Sequence, residues 1–252
     1  MNKAPSGIDA LVDRQVKRWN AEKKRRNAER DTVPIYPCIT ISRQYGALGG
    51  ALGKALATEL GYSCWDQELV HAIARESGLD EQLLSTVDEQ TRNSIDVFID
   101  SLLRGRTFSG AEYLAQLGRL IQTIAAHGSS IIVGRGGQFL LNRMEALHVR
   151  TVCPIEFRVR GIAQRRGISE TEARSVLERG EKERHAFIQK HYGRDVTDPT
   201  AYDLIINMAT TPVDKAAQIV KTAYEARFGD QPERRVERNS LPPLRMPAVA
   251  DD

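Results

Sequence analysis

The stretch CITISRQYGALGGALGKALATELG, residues 38–61, constrains this chain more than any other. A β-rich run from Ile35 to Ile41 passes through SRQYGALGG into a helix that ends near Leu60, where Gly61 stops it. A strand that turns through glycines straight into a helix lets backbone N–H groups come close to an anion, and the helix N-terminus adds a favourable dipole. Gly46, Gly49 and Gly50 supply the room, and Ser42, Ala47, Leu48 and Ala51 complete the cradle. Arg43 offers a guanidinium that can fork onto phosphate oxygens.

The loop does not follow the pattern G-x-x-x-x-G-K-[ST]. Superimposing strand and helix on that pattern puts Arg43 at the first glycine, Gly49 at the lysine and Ala51 at the Ser/Thr that normally holds magnesium. A glycine turn that serves only close packing would look similar. The Ser42-Arg43 pair and the context on both sides favour phosphate.

Strands alternate with helices downstream. A short strand around Tyr62 to Trp65 precedes helical stretches from Gln67 to Glu76, from Asp80, from about Ser94, and from Gly110 to His127. SSIIVG and LHVRTV are apolar strands, and PIEFRVRGIAQRR opens a helix with proline at its start. Ser169 and Glu172 have the spacing of a capping box, YDLIIN is the last strand, and Pro212 to Phe228 the last helix. This alternation argues for a parallel sheet covered on both faces.

Residues 1–33 read as a charged N-terminal helix or arm, with Ile8, Leu11, Val12, Val16 and Trp19 forming one apolar stripe. The main domain spans 34–228, and 229–252, rich in proline and charge, reads as a disordered tail. The net charge of +3 is too small to make nucleic acid the default partner. Three well-separated cysteines suit reduced thiols, and no apolar run has the length of a signal or membrane span, so a cytoplasmic protein is expected.

The blocks ITISRQYGALGG, LGYSCWDQELVHAIARESGL, SIIVGRGGQFLL and EKERHAFIQKHYGRDVTDPTAYDLIIN, in that order, resemble the cytidylate kinase-like family over roughly Ile39 to Ala226. The resemblance implies an α/β fold: a P-loop kinase-like parallel sheet with helices on both faces, a helical lid at about 158–194, and extra helices. It implies ATP-dependent phosphoryl transfer to a nucleoside monophosphate, CMP or dCMP, with ATP and Mg²⁺ as cofactors. The alternative is a nucleotide-binding regulatory module that keeps the fold and transfers little or no phosphate, which Gly49 and Ala51 in place of lysine and hydroxyl would suit.

By position, the resemblance carries Arg43, Gly46, Gly49 and Gly50 to the donor phosphates, and Asp66 to the monophosphate pocket. There the family's Asp-Ser-Gly becomes Asp66-Gln67-Glu68. Arg135 matches the arginine of a Gly-Arg-Asp motif whose aspartate is Gly136 here. Arg158 matches a lid arginine, and Lys182 and Arg184 a basic cluster on the returning helix. Arg43, Arg158 and Arg184 are thus the expected catalytic cations, and Asp66, Arg135 and Lys182 the expected acceptor contacts. No residue is assigned as a metal ligand, because Mg²⁺ bridging phosphates takes few from the protein. Arg165 would share a face with Arg158. His71 reads as a packing or pocket-edge residue, His185 and His191 as exposed helix residues, and Trp65 as core.

Overall fold

The computed structural model describes residues 7–28, 36–75, 79–104 and 110–229. The expected disordered tail, apart from Gly229, lies outside them. Helix α1 (Gly7–Ala28) occupies the place of the charged arm, yet it is docked on the body of the protein. Val12 and Trp19 are buried in the main core, with Ile8 and Val16 packed beside them. Leu11, read into the same stripe, is exposed instead.

Strand β1 (Cys38–Arg43) begins after the start of the apolar run and leads through a loop into α2 (Gly49–Leu60), which Gly61 ends in a left-handed conformation. Strand β2 (Ser63–Trp65), α3 (Gln67–Arg75) and α4 (Leu79–Leu84) follow. Helix α5 (Glu89–Leu103) starts ahead of the expected Ser94, because Asp88 caps it by accepting the Thr91 N–H at 2.8 Å. Helix α6 (Ala111–His127) precedes β3 (Ser130–Val133) and a short helix that the sequence reading did not foresee, α7 (Gly137–Leu140). After β4 (Ala146–Val152) two helices form a hairpin, α8 (Ile155–Arg166) and α9 (Glu170–Tyr192). Ser169 and Glu172 make both bonds of the capping box between them. Strand β5 (Leu204–Asn207) and α10 (Val213–Phe228) close the described chain.

The five strands pair in parallel in the order β2-β3-β1-β4-β5. Alternation along each strand sends Ile39, Ile41, Ile131, Val133, Leu147 and Val149 to one face, against α2 and α10. Cys38, Ile132 and Ala146 go to the other, against α1, α3 and α6. On that second face Thr40, Ser42, His148 and Arg150 replace apolar residues and are buried. Helices α4 and α5 pack on α6 through Leu84, Ile95, Ile99 and Ala115. The result is the expected P-loop kinase-like sheet with helices on both faces, a helical hairpin and extra helices. No helix among the described residues is long and apolar enough to cross a membrane.

Candidate functional site

The C-terminal ends of β1, β3 and β4 lie side by side, where open parallel sheets bind ligands. The loop after β1 is braced on β4: Gln44 donates its N–H to Thr151 O at 3.0 Å and accepts the Cys153 N–H at 2.9 Å. Gly49 must be glycine, because a Cβ there would fall 2.8 Å from Arg43 Cβ and 3.1 Å from Thr151 Oγ1. Among the described residues, the backbone N–H groups of Gly46, Leu48, Gly49, Gly50 and Ala51 have no acceptor. Orphan donors at a helix start are what an anion satisfies.

Beside this loop lies a cavity of about 350 Å³, walled by Ser42, Arg43, Tyr45, Gln67, His71, Gly134, Arg135, Gln138, Glu183, Arg184 and Phe187, among others. Arg43 runs from the loop into it. Its guanidinium bonds Gln67 Oε1 and fills the space that any side chain at Gly134 would need. Burial, with Arg184 and Arg135 nearby, pushes the Arg43 pKa down to about 9, against the opposing pull of Asp66.

Arg135 sits between Gly134 and Gly136 in a run of three left-handed residues, with φ of 83°, 55° and 73°. Its carbonyl accepts the Tyr192 hydroxyl at 2.6 Å, its guanidinium carbon lies 5.0 Å from the Phe187 ring centre, and its buried Nε has no partner among the described residues. Arg184 donates to Arg43 O at 3.2 Å and stacks 4.9 Å from the Tyr45 ring centre. Burial lowers the Arg135 and Arg184 pKa values as well. Among the described residues none of these three arginines forms an ion pair.

The α8–α9 hairpin is fastened to the loop. Glu181 accepts the Tyr45 N–H, Arg166 donates to the Tyr45 hydroxyl at 2.9 Å, and the Tyr45 ring fills the space over Gly180. Arg158, expected at the phosphates, is 7% exposed and does not line the cavity. Its donors go to Cys153 O at 3.0 Å, Tyr45 O at 3.3 Å and Glu181 Oε1 at 2.8 Å. Arg165 is exposed, so the two do not act as a pair.

Of the expected site residues, the structure brings together Ser42, Arg43, Arg135 and Arg184 at the cavity, with the free loop amides beside them. It leaves three expected contacts out of the cavity lining: Lys182 is exposed, Asp66 accepts the Leu69 N–H at 2.9 Å and so caps α3, and Arg158 is occupied as above. Arg43 also differs from expectation in direction, since its guanidinium is held on the cavity side by Gly134 and Gln67. His191 is buried, not exposed, packed 4.6 Å from the Phe187 ring centre, while His185 is exposed. Gln67, Tyr45 and Gln138 were missed. Gln67 carried a signal, since it stands directly after Asp66 where the family pattern departs.

The residues present fit nucleotide phosphates, through orphan amides and unneutralised guanidiniums. No group of three or more His, Cys, Asp or Glu residues able to hold a metal occurs among the described residues.

Fold and site together define a P-loop kinase-like α/β protein. The chain belongs to the cytidylate kinase-like family, whose model matches residues 38–210. It is similar to a cytidylate kinase of Methanopyrus kandleri, 28% identical over 188 residues, covering 74% of this chain and 92% of that one. A cytidylate kinase of Thermococcus kodakarensis is 34% identical over 95 residues, about half of that protein (49%) and 38% of this one. Among solved structures, an uncharacterized protein from Eubacterium ventriosum shares the fold, with TM-score 0.60 and 18% identity over 76% of this chain and 99% of that one. Membership of the family supports phosphoryl transfer to nucleotides.

Proposed function

We propose that the chain transfers the terminal phosphoryl group of ATP to a nucleoside monophosphate, CMP or dCMP, in the cytoplasm. The observation that carries this reading is the juxtaposition of five orphan loop amides with a cavity of unpaired arginines, Arg43 reaching from one to the other. Donor phosphates settle on the amides of Gly46 and Leu48 to Ala51. The acceptor phosphate lies in the cavity on Arg135 and Arg184. Arg43, between them, stabilises charge on the oxygens in transit, which is most of what such a reaction asks of a protein. Mg²⁺ bound to the donor phosphates would neutralise part of their charge. Gln67 faces the acceptor, and Asp66 at the head of α3 acts on the site only through its charge near Arg43. Arg158 holds the loop in shape, and Lys182 comes into play only if the hairpin moves as a lid.

The test is ADP formation by purified protein with each nucleoside monophosphate in turn. CMP or dCMP should give the highest kcat/KM. Arg43→Ala should cut transfer by about 10³ or more and weaken nucleotide binding about tenfold, as the loss of a charge-assisted hydrogen bond implies. A second reading, a regulatory module, draws on the fastening of Glu181 to the Tyr45 N–H and on Gly49 where lysine would stand. Tight ATP binding with no turnover for any monophosphate would select it.

A further inference from the structure

Arg150, on β4, is 4% exposed and its hydrogen bonds go to neutral groups, with Arg184 and the exposed Asp195 acting on it only from a distance. Its Nη1 donates to Ser42 Oγ and to the Tyr202 hydroxyl, each at 3.1 Å, and its guanidinium carbon lies 5.3 Å from the Tyr202 ring centre. Among the described residues no carboxylate lies within ion-pair distance of it. A guanidinium stays charged at neutral pH, and a buried charge without a close partner is a large cost to the fold. An apolar side chain of similar size would remove that cost. The position of the charge supplies the reason to keep it: Arg150 lies one layer behind the cavity wall, and Ser42, to which it donates, and Gln138 and Val196, which bond Tyr202 beside it, all line the cavity.

The hydrogen bonds around Arg150 also fix a polarity. The Tyr202 oxygen accepts from Arg150 and, at 3.3 Å, from Gln138 Nε2, and its own proton goes to Val196 O at 2.7 Å. Both lone pairs and the proton of that hydroxyl are therefore committed. Ser42 Oγ accepts from Arg150 and lies 3.2 Å from the Tyr202 hydroxyl, which faces it as a second donor whenever its proton turns from Val196 O, so Tyr202 offers the Ser42 proton no acceptor. The Ser42 proton is left to point into the cavity that Ser42 lines.

We infer that Arg150 is a fourth cation of the phosphate site, a positioning residue that turns the Ser42 hydroxyl into a donor toward the bound phosphate and gains from that phosphate a countercharge nearer than the chain's own carboxylates. The inference rests on the reading that the cavity takes the phosphate of a nucleoside monophosphate.

The experiment compares the parent with Arg150→Met, Arg150→Lys and Ser42→Ala, measuring the melting temperature without ligand and the affinities for CMP and for uncharged cytidine. Arg150→Met should melt at or above the parent without ligand, and should lose at least tenfold in CMP affinity while cytidine changes less than twofold. Arg150→Lys should recover most of the CMP affinity. Ser42→Ala should lose part of it at an unchanged melting temperature. An Arg150→Met protein that melts well below the parent, or does not fold, and a Ser42→Ala protein with the parent's preference for CMP over cytidine, would make Arg150 a brace and overturn the inference. If CMP and pyrophosphate fail to stabilise even the parent, the phosphate reading of the cavity fails first, and the inference with it.

Discussion

Arg43 and Gly134 occupy one another's space, and Gly134 also holds a φ of +83°. Gly134→Ala is therefore expected to lose about 1–3 kcal/mol of stability, the range for a residue forced into a sparsely populated conformation. It should also push the guanidinium off Gln67 and weaken CMP binding. Gly50 is the contrasting case: it is exposed, nothing stands within 4 Å of where its Cβ would be, and its φ is not left-handed. Gly50→Ala should melt at or slightly above the parent, by up to about 1 kcal/mol, because alanine costs less entropy in a helix. Thermal unfolding of the two variants side by side checks both, and equal melting would remove the steric argument for Gly134. The loop glycines were all legible as a cradle in the sequence, but which of them is sterically required was not. That depends on how closely Arg43 and β3 approach, which no local pattern encodes.

At the scale of elements, the α8–α9 hairpin hangs on Tyr45, which supplies an N–H to Glu181, a ring to Gly180 and Arg184, and a hydroxyl to Arg166. Tyr45→Ala should loosen the hairpin and leave the sheet intact. Amide hydrogen exchange should rise across 155–192 and stay at parent values in β1, β3 and β4, since local opening follows the contacts that are lost. Uniform protection in the variant would mean that the hairpin is held by its own apolar cluster of Val159, Ile162, Ala173 and Leu177. The alternation of strands and helices, the helix opened by Pro154 and the capping box were readable because period, proline and Ser-x-x-Glu spacing are local signals. The fate of Arg158 was not: the resemblance implied a lid arginine, but its partners, Tyr45 O and Glu181, lie far away in sequence. Helix α1 was legible in part, since its apolar stripe named Val12, Val16 and Trp19, which pack on the main core, and misplaced only Leu11.

For the molecule as a whole, α1 counts as part of the folded body. Trp19→Ala should cost about 3–5 kcal/mol, the usual range for truncating a buried tryptophan, read as a lower urea midpoint. A loss below about 1 kcal/mol would return α1 to the status of an arm. Global stability should also depend on pH through His148, whose Nδ1 lies 2.7 Å from Thr40 Oγ1 and whose pKa burial pushes down to about 4, with Asp203 opposing. The unfolded chain takes up that proton near its ordinary value of about 6.5, and the folded chain does not until about 4. Between those values the unfolded state binds more protons, so stability falls as pH falls, by up to about 3 kcal/mol, and levels off below. His148→Asn should flatten that window in denaturation curves taken from pH 7 to 4. A parent curve with no slope there would show that the imidazole protonates in place.

The chain has two tryptophans, and the fold stacks them on each other. Trp19 of α1 lies 5.8 Å from Trp65, which ends β2 one residue before Asp66, and Trp19 is also stacked on His127 at 3.9 Å. Intrinsic fluorescence therefore comes from a single coupled pair that bridges the first helix and the strand leading to the cavity wall. Unseating α1 would separate the rings, relieve quenching by the imidazole and shift the emission to the red. The protein thus carries its own optical gauge of whether its first helix and the strand beside the site remain joined.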